Sequence, residues 1–345
     1  MLNRRSFQIY SFFLIALLLS ACSNQKKVDV SNIDISINIE RFDKEMDRLT
    51  PENLPIEAPK LKREFGYFYE DYMSGMLGVG GTADTSYYNN LRMVLEDQDY
   101  QELKTAVKQK FPDLQKAQNE LTDAFKHVIY YYPDQKLPRL IAFFSGFAVQ
   151  TPVGNDYIGI GLDMFLGADS KFYPALRHSI PQYISRRFTP ENITPRVIEA
   201  FVRENMFPER DEDLTFLSKI VYNGKILYLM DALMPDVADS LKIGYTTEQL
   251  QWCRKYEADI WGYFLQESLL FETDYMKYQK YISEAPFTPG IGERNESAPK
   301  LGIFTGWQIV KKFMEKNSGT SLQGLMEETD AQKILNLSGY KPKQK

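Results

Sequence analysis

Apolar and polar residues alternate with a period of two from Ile33 to Glu40. The four isoleucines of this segment therefore share one face, and the intervening polar residues share the other. Such alternation predicts a half-buried β-strand whose polar face lies in solvent. We expect the folded part of the chain to begin with this strand.

Helical spacing of apolar residues follows at several places. Apolar residues recur at intervals of three and four along three stripes: Phe65, Phe68, Tyr69 and Tyr72; Leu103, Val107 and Phe111; Leu114, Ala117, Leu121, Phe125 and Val128. This spacing predicts amphipathic helices, and Pro112 separates the second stripe from the third. Further helices are predicted from Thr194 onward and from Thr246 or Thr247 through Leu270.

Two short apolar runs near the middle of the chain are rich in β-prone residues. They cover residues 140–144 and 157–161, and a segment with turn chemistry, residues 151–156, separates them. The pattern predicts two strands paired around a turn. Because no repeat, low-complexity tract or Gly/Ser-rich linker interrupts residues 40–345, we expect a single domain. The predicted fold class is α+β, predominantly helical, with a small strand pair.

Residues 1–21 have the pattern of a secretory signal peptide. Two arginines precede an almost wholly apolar run from Ile9 to Leu19, and small residues follow at Ser20 and Ala21. The apolar run is too short to predict a membrane-spanning helix. We therefore expect residues 1–21 to be removed from the mature protein.

Cys22 is predicted to carry a lipid anchor. Together with the three residues before it, Cys22 resembles the lipobox of bacterial lipoproteins, in which the thiol is diacylated and the cysteine becomes the mature N-terminus. Acyl chains such as palmitate contribute about 0.8 kcal/mol per buried CH₂, so two or three of them hold a protein on a membrane. We expect a lipidated tether over residues 22–32 and the folded domain over residues 33–345.

Composition and charge limit the kinds of protein that this chain can be. The chain of 345 residues is 43% hydrophobic and 25% charged, which is typical of a folded protein. Its net charge of -5 offers no electrostatic footprint for a phosphate backbone, so nucleic acid is not an expected partner. Once Cys22 is modified, Cys253 is the only other cysteine. It has no histidine nearby and is predicted to be a buried structural thiol.

Residues suited to catalysis are scarce. His127 and His178 are the only two histidines, and they are not at metal-ligand spacing. Nucleophile-elbow, P-loop, EF-hand and Rossmann patterns are absent, and no cofactor is predicted. Asp156, Asp163 and Asp169 flank the second apolar run as candidate ligands of a hard cation, although their spacing does not make one compact loop. The many aromatic residues are expected in the core, with a peptide or glycan groove as the alternative.

Several short segments occur in a particular order along the chain. They are Cys22 with its lipobox and residues 39–43, 161–167, 223–228, 243–246, 285–287 and 306–310. In their order and spacing they make the chain similar to the gliding-motility lipoprotein GldB family of Bacteroidota over nearly its whole mature length. The resemblance implies a membrane-anchored lipoprotein linked to cell-surface motility and the associated secretion machinery, with no established catalytic activity.

The same family resembles predicted zinc peptidases whose helix carries His-Glu-x-x-His. In this chain Ile198 and Val202 stand at the two histidine positions, and Glu199 stands at the position of the general base. Asn223 stands where a further ligand would fall. The resemblance thus implies a degenerate zincin-like fold, a pseudo-metallopeptidase with a vestigial Glu199 and no metal. The alternative is an ordinary amphipathic helix with an ion pair between Glu199 and Arg203.

These observations predict a non-catalytic lipoprotein held on the cell membrane or outer membrane through Cys22. No acidic run follows Cys22, and under the resemblance to this family that implies an orientation toward the periplasm. We expect the protein to act in an envelope assembly through contacts with motility or secretion proteins. Two alternatives stay open. One is a metal-dependent hydrolase with an unorthodox site at Glu199, and the other is a periplasmic protein that binds peptide or glycan.

Overall fold

The computed structural model of the protein describes residues 28–210, 212–292 and 296–343. Within these ranges the chain forms one predominantly helical domain with a small parallel sheet. The predicted α+β class is therefore confirmed. Cys22 and the signal peptide over residues 1–21 lie outside the described residues, so the lipid anchor and the domain boundaries stay predictions.

Three strands form the sheet: β1 (Ile39–Arg41), β2 (Arg139–Phe143) and β3 (Tyr157–Gly161). The central strand is β2, and all three run parallel, with Leu140 paired to Ile39 on one side and to Ile158 on the other. The two strands predicted near the middle of the chain do pair, but the sheet has a third strand. The predicted pairing of these two strands around a tight turn is wrong, because they run parallel. Parallel strands need a crossover connection of about a dozen residues or more.

Residues 151–156, which were predicted to form the turn between two strands, make a different contact. The backbone N–H groups of Gly159 and Gly161 donate to the carbonyls of Pro152 and Gln150, at 2.8 Å in each case. The segment just before β3 therefore folds back antiparallel along the edge of β3 that faces away from β2. Its carbonyls pair with backbone donors that an open sheet edge leaves free.

The α-helices of the described residues account for most of the fold. They are α1 (Phe42–Glu45), α2 (Leu54–Phe65), α3 (Tyr67–Asp71), α4 (Tyr87–Glu96), α5 (Gln98–Lys110), α6 (Gln115–Tyr131), α7 (Gln182–Ser185), α8 (Ile193–Ala200), α9 (Phe216–Leu233), α10 (Asp239–Ile243), α11 (Thr247–Lys255), α12 (Glu257–Gln266), α13 (Tyr275–Tyr278), α14 (Leu301–Lys316), α15 (Leu322–Glu327) and α16 (Ala331–Ser338). Across the described ranges, none is both long and apolar enough to span a membrane.

Two helix predictions differ from the structure in detail. The helix predicted from Thr246 through Leu270 is two helices, α11 and α12, because Tyr256 between them leaves the helical region with φ -103° and ψ 19°. Thr246 does begin α11, in a capping box with Gln249. Thr194 lies inside α8, which begins at Ile193 with Asn192 at its N-cap position, and the Thr194 hydroxyl donates to Glu120 of α6 at 2.9 Å.

Residues 33–40 show the predicted alternation of buried and exposed side chains, but only the end of this segment pairs with a neighbouring strand. Ile37 and Ile39 are buried, and the polar residues Ser36 and Asn38 are exposed. The N–H of Ile37 donates to the Thr122 hydroxyl of α6 at 3.2 Å. Side chains of α6 therefore take backbone bonds that a neighbouring strand would otherwise supply, and the strand proper starts only at Ile39.

The sheet separates two hydrophobic cores. The face that carries Leu140 and Ile158 packs against the large core formed by α5, α6 and the later helices. The opposite face, with Ile141 and Phe143, packs against an aromatic core supplied by α1 to α4. There Phe42 meets four buried rings edge-on, namely Phe65 at 4.8 Å, Phe68 at 5.0 Å, Tyr69 at 6.2 Å and Tyr72 at 4.8 Å between ring centroids. Such pairs stabilise a core beyond the area that they bury.

Candidate functional site

Glu199 lies on α8, between two residues of the large core. Ile198 and Val202 are completely buried and point into that core. Glu199 is turned toward a partly exposed face, because neighbouring positions on a helix differ by about 100°. The two residues at the predicted histidine positions are therefore packing residues, and the carboxylate faces a polar cluster.

Both carboxylate oxygens of Glu199 are bound by arginines of its own helical segment. Arg196 Nη1 donates to Glu199 Oε2 at 2.5 Å, and Arg203 Nε donates to Glu199 Oε1 at 3.0 Å. Burial by itself would raise the pKa of Glu199, but the charges of Arg196, Arg203 and Lys300 outweigh it and lower that pKa to about 2. A general base works best with a pKa near the operating pH, so this environment favours a permanent ion pair.

The same arginines tie α8 to its neighbours. Arg203 Nη2 donates to Asn223 Oδ1 of α9 at 2.9 Å, so Glu199 and Asn223 belong to one cluster. Arg196 Nη2 donates to the carbonyls of Leu241 and Lys242 at 2.9 and 2.7 Å. These carbonyls belong to α10, close to its C-terminal end, where a helix attracts cations.

The cluster continues to a second carboxylate, that of Glu284. Lys300 precedes α14 in a left-handed conformation with φ 52°, and its amine donates to Glu284 Oε1 at 2.6 Å and to the Ile243 carbonyl at 2.9 Å. Arg187 Nη1 reaches the same Glu284 oxygen at 3.0 Å. Four cations thus surround two carboxylates, which leaves an excess of positive charge in the cluster.

Sequence reasoning identified Glu199, Asn223 and Arg203 of this cluster and missed the others. Arg196, Glu199 and Arg203 lie three and four residues apart, which is the spacing that brings side chains together on one helix face. That spacing was a usable signal for Arg196. Nothing local in the sequence links Glu284 and Lys300 to α8, because tertiary packing alone brings them there.

The described residues contain no metal-binding constellation. No group of three or more His, Cys, Asp or Glu that could hold a metal ion occurs within residues 28–210, 212–292 and 296–343. His178 is exposed, and the buried His127 contacts the Asp123 carbonyl through Nδ1 at 2.9 Å. The neighbours of Glu199 are guanidinium and ammonium groups, and their charges repel a metal cation.

The three aspartates around β3 have separate environments. Asp156 and Asp169 are exposed, and Asp156 lies 3.6 Å from the Arg139 guanidinium. Asp163 is completely buried, and its Oδ2 accepts the N–H groups of Ser145 and Phe147 at 3.1 and 2.6 Å. Burial raises the pKa of Asp163 to about 6, against the effect of these hydrogen bonds. Asp163 therefore organises a loop of the fold.

Cys253 is completely buried on α11, as predicted for a structural thiol. Burial raises the pKa of the Cys253 thiol well above its usual range. Because the thiolate is the nucleophilic form, a thiol in this environment is unreactive at neutral pH.

Comparison with known proteins identifies the family. Residues 23–342 match the family of the gliding motility protein GldB, a family of lipoproteins, and the chain belongs to this family. It is thus a gliding-motility-related lipoprotein, with the membrane-associated envelope location of that class. The family description names motility and no enzymatic activity. No curated protein and no solved structure matches the chain, so the degenerate zincin-like fold stays a prediction.

Proposed function

We propose that this protein is a non-catalytic lipoprotein that faces the periplasm and acts in an envelope assembly through contacts with motility or secretion proteins. The observation that supports it most is the environment of Glu199, the residue that the resemblance to zinc peptidases places at the position of the general base. Arg196 and Arg203 occupy both oxygens of its carboxylate, whose pKa is lowered to about 2. A carboxylate held in this way is a weak proton acceptor at neutral pH.

Lipid anchoring at Cys22 is the second part of the proposal. Wild-type protein, Cys22→Ala and Ser23→Ala should be compared by membrane fractionation after metabolic labelling with an alkyne analogue of palmitate. We expect wild type and Ser23→Ala to be labelled and to sediment with membranes. Cys22→Ala should lose the label and, if its signal peptide is cleaved, appear in the soluble periplasmic fraction. A Cys22→Ala protein that keeps the palmitate label at the wild-type level would contradict the anchor.

The absence of catalysis is tested at Glu199 itself. A deletion strain of the source bacterium should be complemented with wild type, Glu199→Gln and the exposed control Glu204→Gln. Envelope phenotypes should be scored at a temperature at which all three proteins are folded. We expect Glu199→Gln to restore the wild-type envelope phenotype when it is present at the same level as the wild-type protein. A folded Glu199→Gln protein that fails to complement would favour a catalytic role.

The metal-dependent hydrolase is the competing function, and elemental analysis separates the two. The mature protein should be purified without chelator and analysed for zinc and other metals before and after incubation with zinc. Stoichiometric metal that resists dialysis would contradict our proposal. We expect substoichiometric metal in both samples, because the cationic neighbours of Glu199 disfavour a bound cation.

A further inference from the structure

A cavity of about 530 Å³ lies beyond the carboxyl end of β2, away from the Glu199 cluster. Its lining comes from the loop after β2, the first turns of α5 and the turn over residues 171–176. This volume falls in the range of small-ligand sites, roughly 300 to 1,000 Å³. Open sheets with parallel strands bind ligands beyond the carboxyl ends of their strands, so the position fits a binding site.

The loop after β2 has an unusual backbone. Gly146 and Phe147 are consecutive residues with φ of 71° and 67°, and Phe147 is one of the few non-glycine residues with positive φ among those described. A non-glycine residue in this region costs about 1 kcal/mol or more. The buried Asp163 holds the conformation, because its Oδ2 accepts the N–H groups on either side of Gly146. A strained loop fixed by a buried carboxylate is typical of a functional position.

The cavity combines apolar walls with an acidic rim. Leu103, Phe147, Phe172 and Leu176 supply apolar wall surface, and the Phe147 and Phe172 rings lie 6.0 Å apart between centroids. Asp97, Asp99, Glu102 and Lys171 lie at the rim.

Charge at the rim is unbalanced. Lys171 forms an ion pair with Glu102, which leaves Asp97 and Asp99 without a cation among the lining residues. Both aspartates are exposed, and Asp97 also caps α5 by accepting the Tyr100 N–H at 2.9 Å. An occupant that matches this site carries an apolar group close to a positive charge.

We propose that this cavity binds a short segment of a partner polypeptide that inserts an apolar side chain next to a lysine or arginine. Successive side chains of an extended peptide point to opposite sides, so the residues next to the inserted apolar side chain stay outside the cavity, where a long lysine or arginine side chain reaches the rim. A neutral glycan donates hydroxyl hydrogen bonds to carboxylates but brings no positive charge to balance Asp97 and Asp99, so a cationic peptide matches the rim better. The choice of a partner polypeptide as the occupant rests on the proposed function. What the inference adds is the surface on which that partner binds. Its test is made in vitro without the lipid, so a failure of this site leaves the tests at Cys22 and Glu199 unaffected.

Calorimetric titration of the full mature chain with Cys22→Ala tests the site. The probes are acetyl-Lys-Phe-Lys-amide, the charge-reversed acetyl-Glu-Phe-Glu-amide, the apolar-deleted acetyl-Lys-Ser-Lys-amide and an N-acetylglucosamine trimer. We expect saturable binding of the first peptide and binding about tenfold weaker or worse for the others, since two ion pairs or one buried ring each account for about 1.4 kcal/mol. Equal affinity for the first two peptides, or preferential binding of the sugar, would overturn the proposal.

Two matched pairs of variants locate the binding. Ala175 is an exposed residue of the cavity wall, so Ala175→Trp fills the cavity without disturbing a core, and Ala238→Trp places the same ring at a distant exposed position. Asp99→Asn removes one rim charge, and Asp134→Asn is its exposed control outside the cavity. We expect Ala175→Trp to abolish binding and Asp99→Asn to weaken it severalfold with a smaller salt dependence. Unchanged affinity in Ala175→Trp would contradict this location.

Discussion

Gly224 on α9 and Gly306 on α14 touch where the two helices cross. A β-carbon on Gly224 would lie 2.3 Å from the Gly306 carbonyl oxygen, and a β-carbon on Gly306 would lie 1.8 Å from the Ile220 carbonyl oxygen. The two backbones are therefore in direct contact. Asn223 precedes one glycine, and α14 follows Lys300, so this contact also sets the spacing of the cluster around Glu199.

Gly306→Ala should destabilise the protein, although alanine is the better helix former by about 1 kcal/mol. The added methyl forces α9 and α14 apart, and overpacking of this kind costs about 1 to 3 kcal/mol or more. Gly262 is the matched control, because it lies exposed in α12 with no atom within 4 Å of its β-carbon position. Urea unfolding should show a loss of stability for Gly306→Ala and a gain of up to about 1 kcal/mol for Gly262→Ala. Similar effects at both positions would argue against the close helix contact.

Local patterns predicted much of this fold. The stripes at Leu103 and Val107 and at Leu121 and Phe125 are buried as their spacing required. Strand direction was not predictable, because a short apolar run such as residues 157–161 has the same pattern in a parallel and an antiparallel sheet. The contact between Gly224 and Gly306 was not predictable either, because it depends on which helices pack together.

Acid should remove the contribution that the ionised Glu199 makes to the free energy of unfolding. Its pKa is lowered from 4.5 to about 2, with the arginine and lysine charges outweighing burial. The stabilisation is therefore complete above pH 4.5 and is lost as the pH falls from 4.5 toward 2, by about 3 kcal/mol in total. Glu199→Gln should be less stable at neutral pH and should lack this part of the acid dependence.

Urea unfolding of wild type, Glu199→Gln and Glu204→Gln between pH 6 and 3 measures the effect, within the range in which the protein stays soluble. Glu204 is an exposed residue of the same helical segment, and its variant should follow wild type. A Glu199→Gln protein with the wild-type acid profile would show that Arg196 and Arg203 do not hold the carboxylate as described.

Only part of the cluster around Glu199 could be recognised from the sequence. Arg203 follows Glu199 by one helical turn, and their pairing was foreseen and is present. Arg187 and Glu284 are separated by nearly a hundred positions and meet only through tertiary packing. Asp163 was considered as a cation ligand, but its burial, which decides its role, is a property of the folded core.

Asp163 should give the opposite pH dependence to Glu199. Burial raises its pKa from 3.8 to about 6, so its contribution to stability is complete below pH 3.8 and is lost as the pH rises through about 6. Relative to Asp163→Asn, wild type should therefore gain about 2 kcal/mol in its free energy of unfolding as the pH falls from 6 to 4. The difference between the two unfolding curves isolates this effect, because Glu199 is the same in both proteins.

Asp163→Ala should have a further effect that Asp163→Asn lacks. It leaves the N–H groups of Ser145 and Phe147 without their acceptor, at a cost of about 1 to 3 kcal/mol for each buried donor. Hydrogen exchange should show faster exchange at Phe147 in Asp163→Ala than in Asp163→Asn. Equal protection of Phe147 in the two variants would contradict the role of the carboxylate in shaping the loop.

Lys225 should make the protein more stable in mild alkali. Its amine is buried on α9 and donates to the carbonyls of Met326 and Glu328 at 3.2 and 2.8 Å, at the C-terminal end of α15. Burial lowers the pKa of this amine from 10.5 to about 8, against the opposing charge of Glu328. The unfolded chain therefore binds more protons between pH 8 and pH 10.5, and stability rises with pH over this window by up to about 3 kcal/mol.

Lys225→Met should lack this rise, and the exposed control Lys136→Met should keep it. Tyrosine ionisation affects wild type and both variants alike, so the comparison between proteins removes it. Unfolding in urea at several pH values from 7.5 to 10 gives the three profiles. A rise of the same size in Lys225→Met would mean that the amine keeps its ordinary pKa, and that its two carbonyl partners compensate for burial more fully than described.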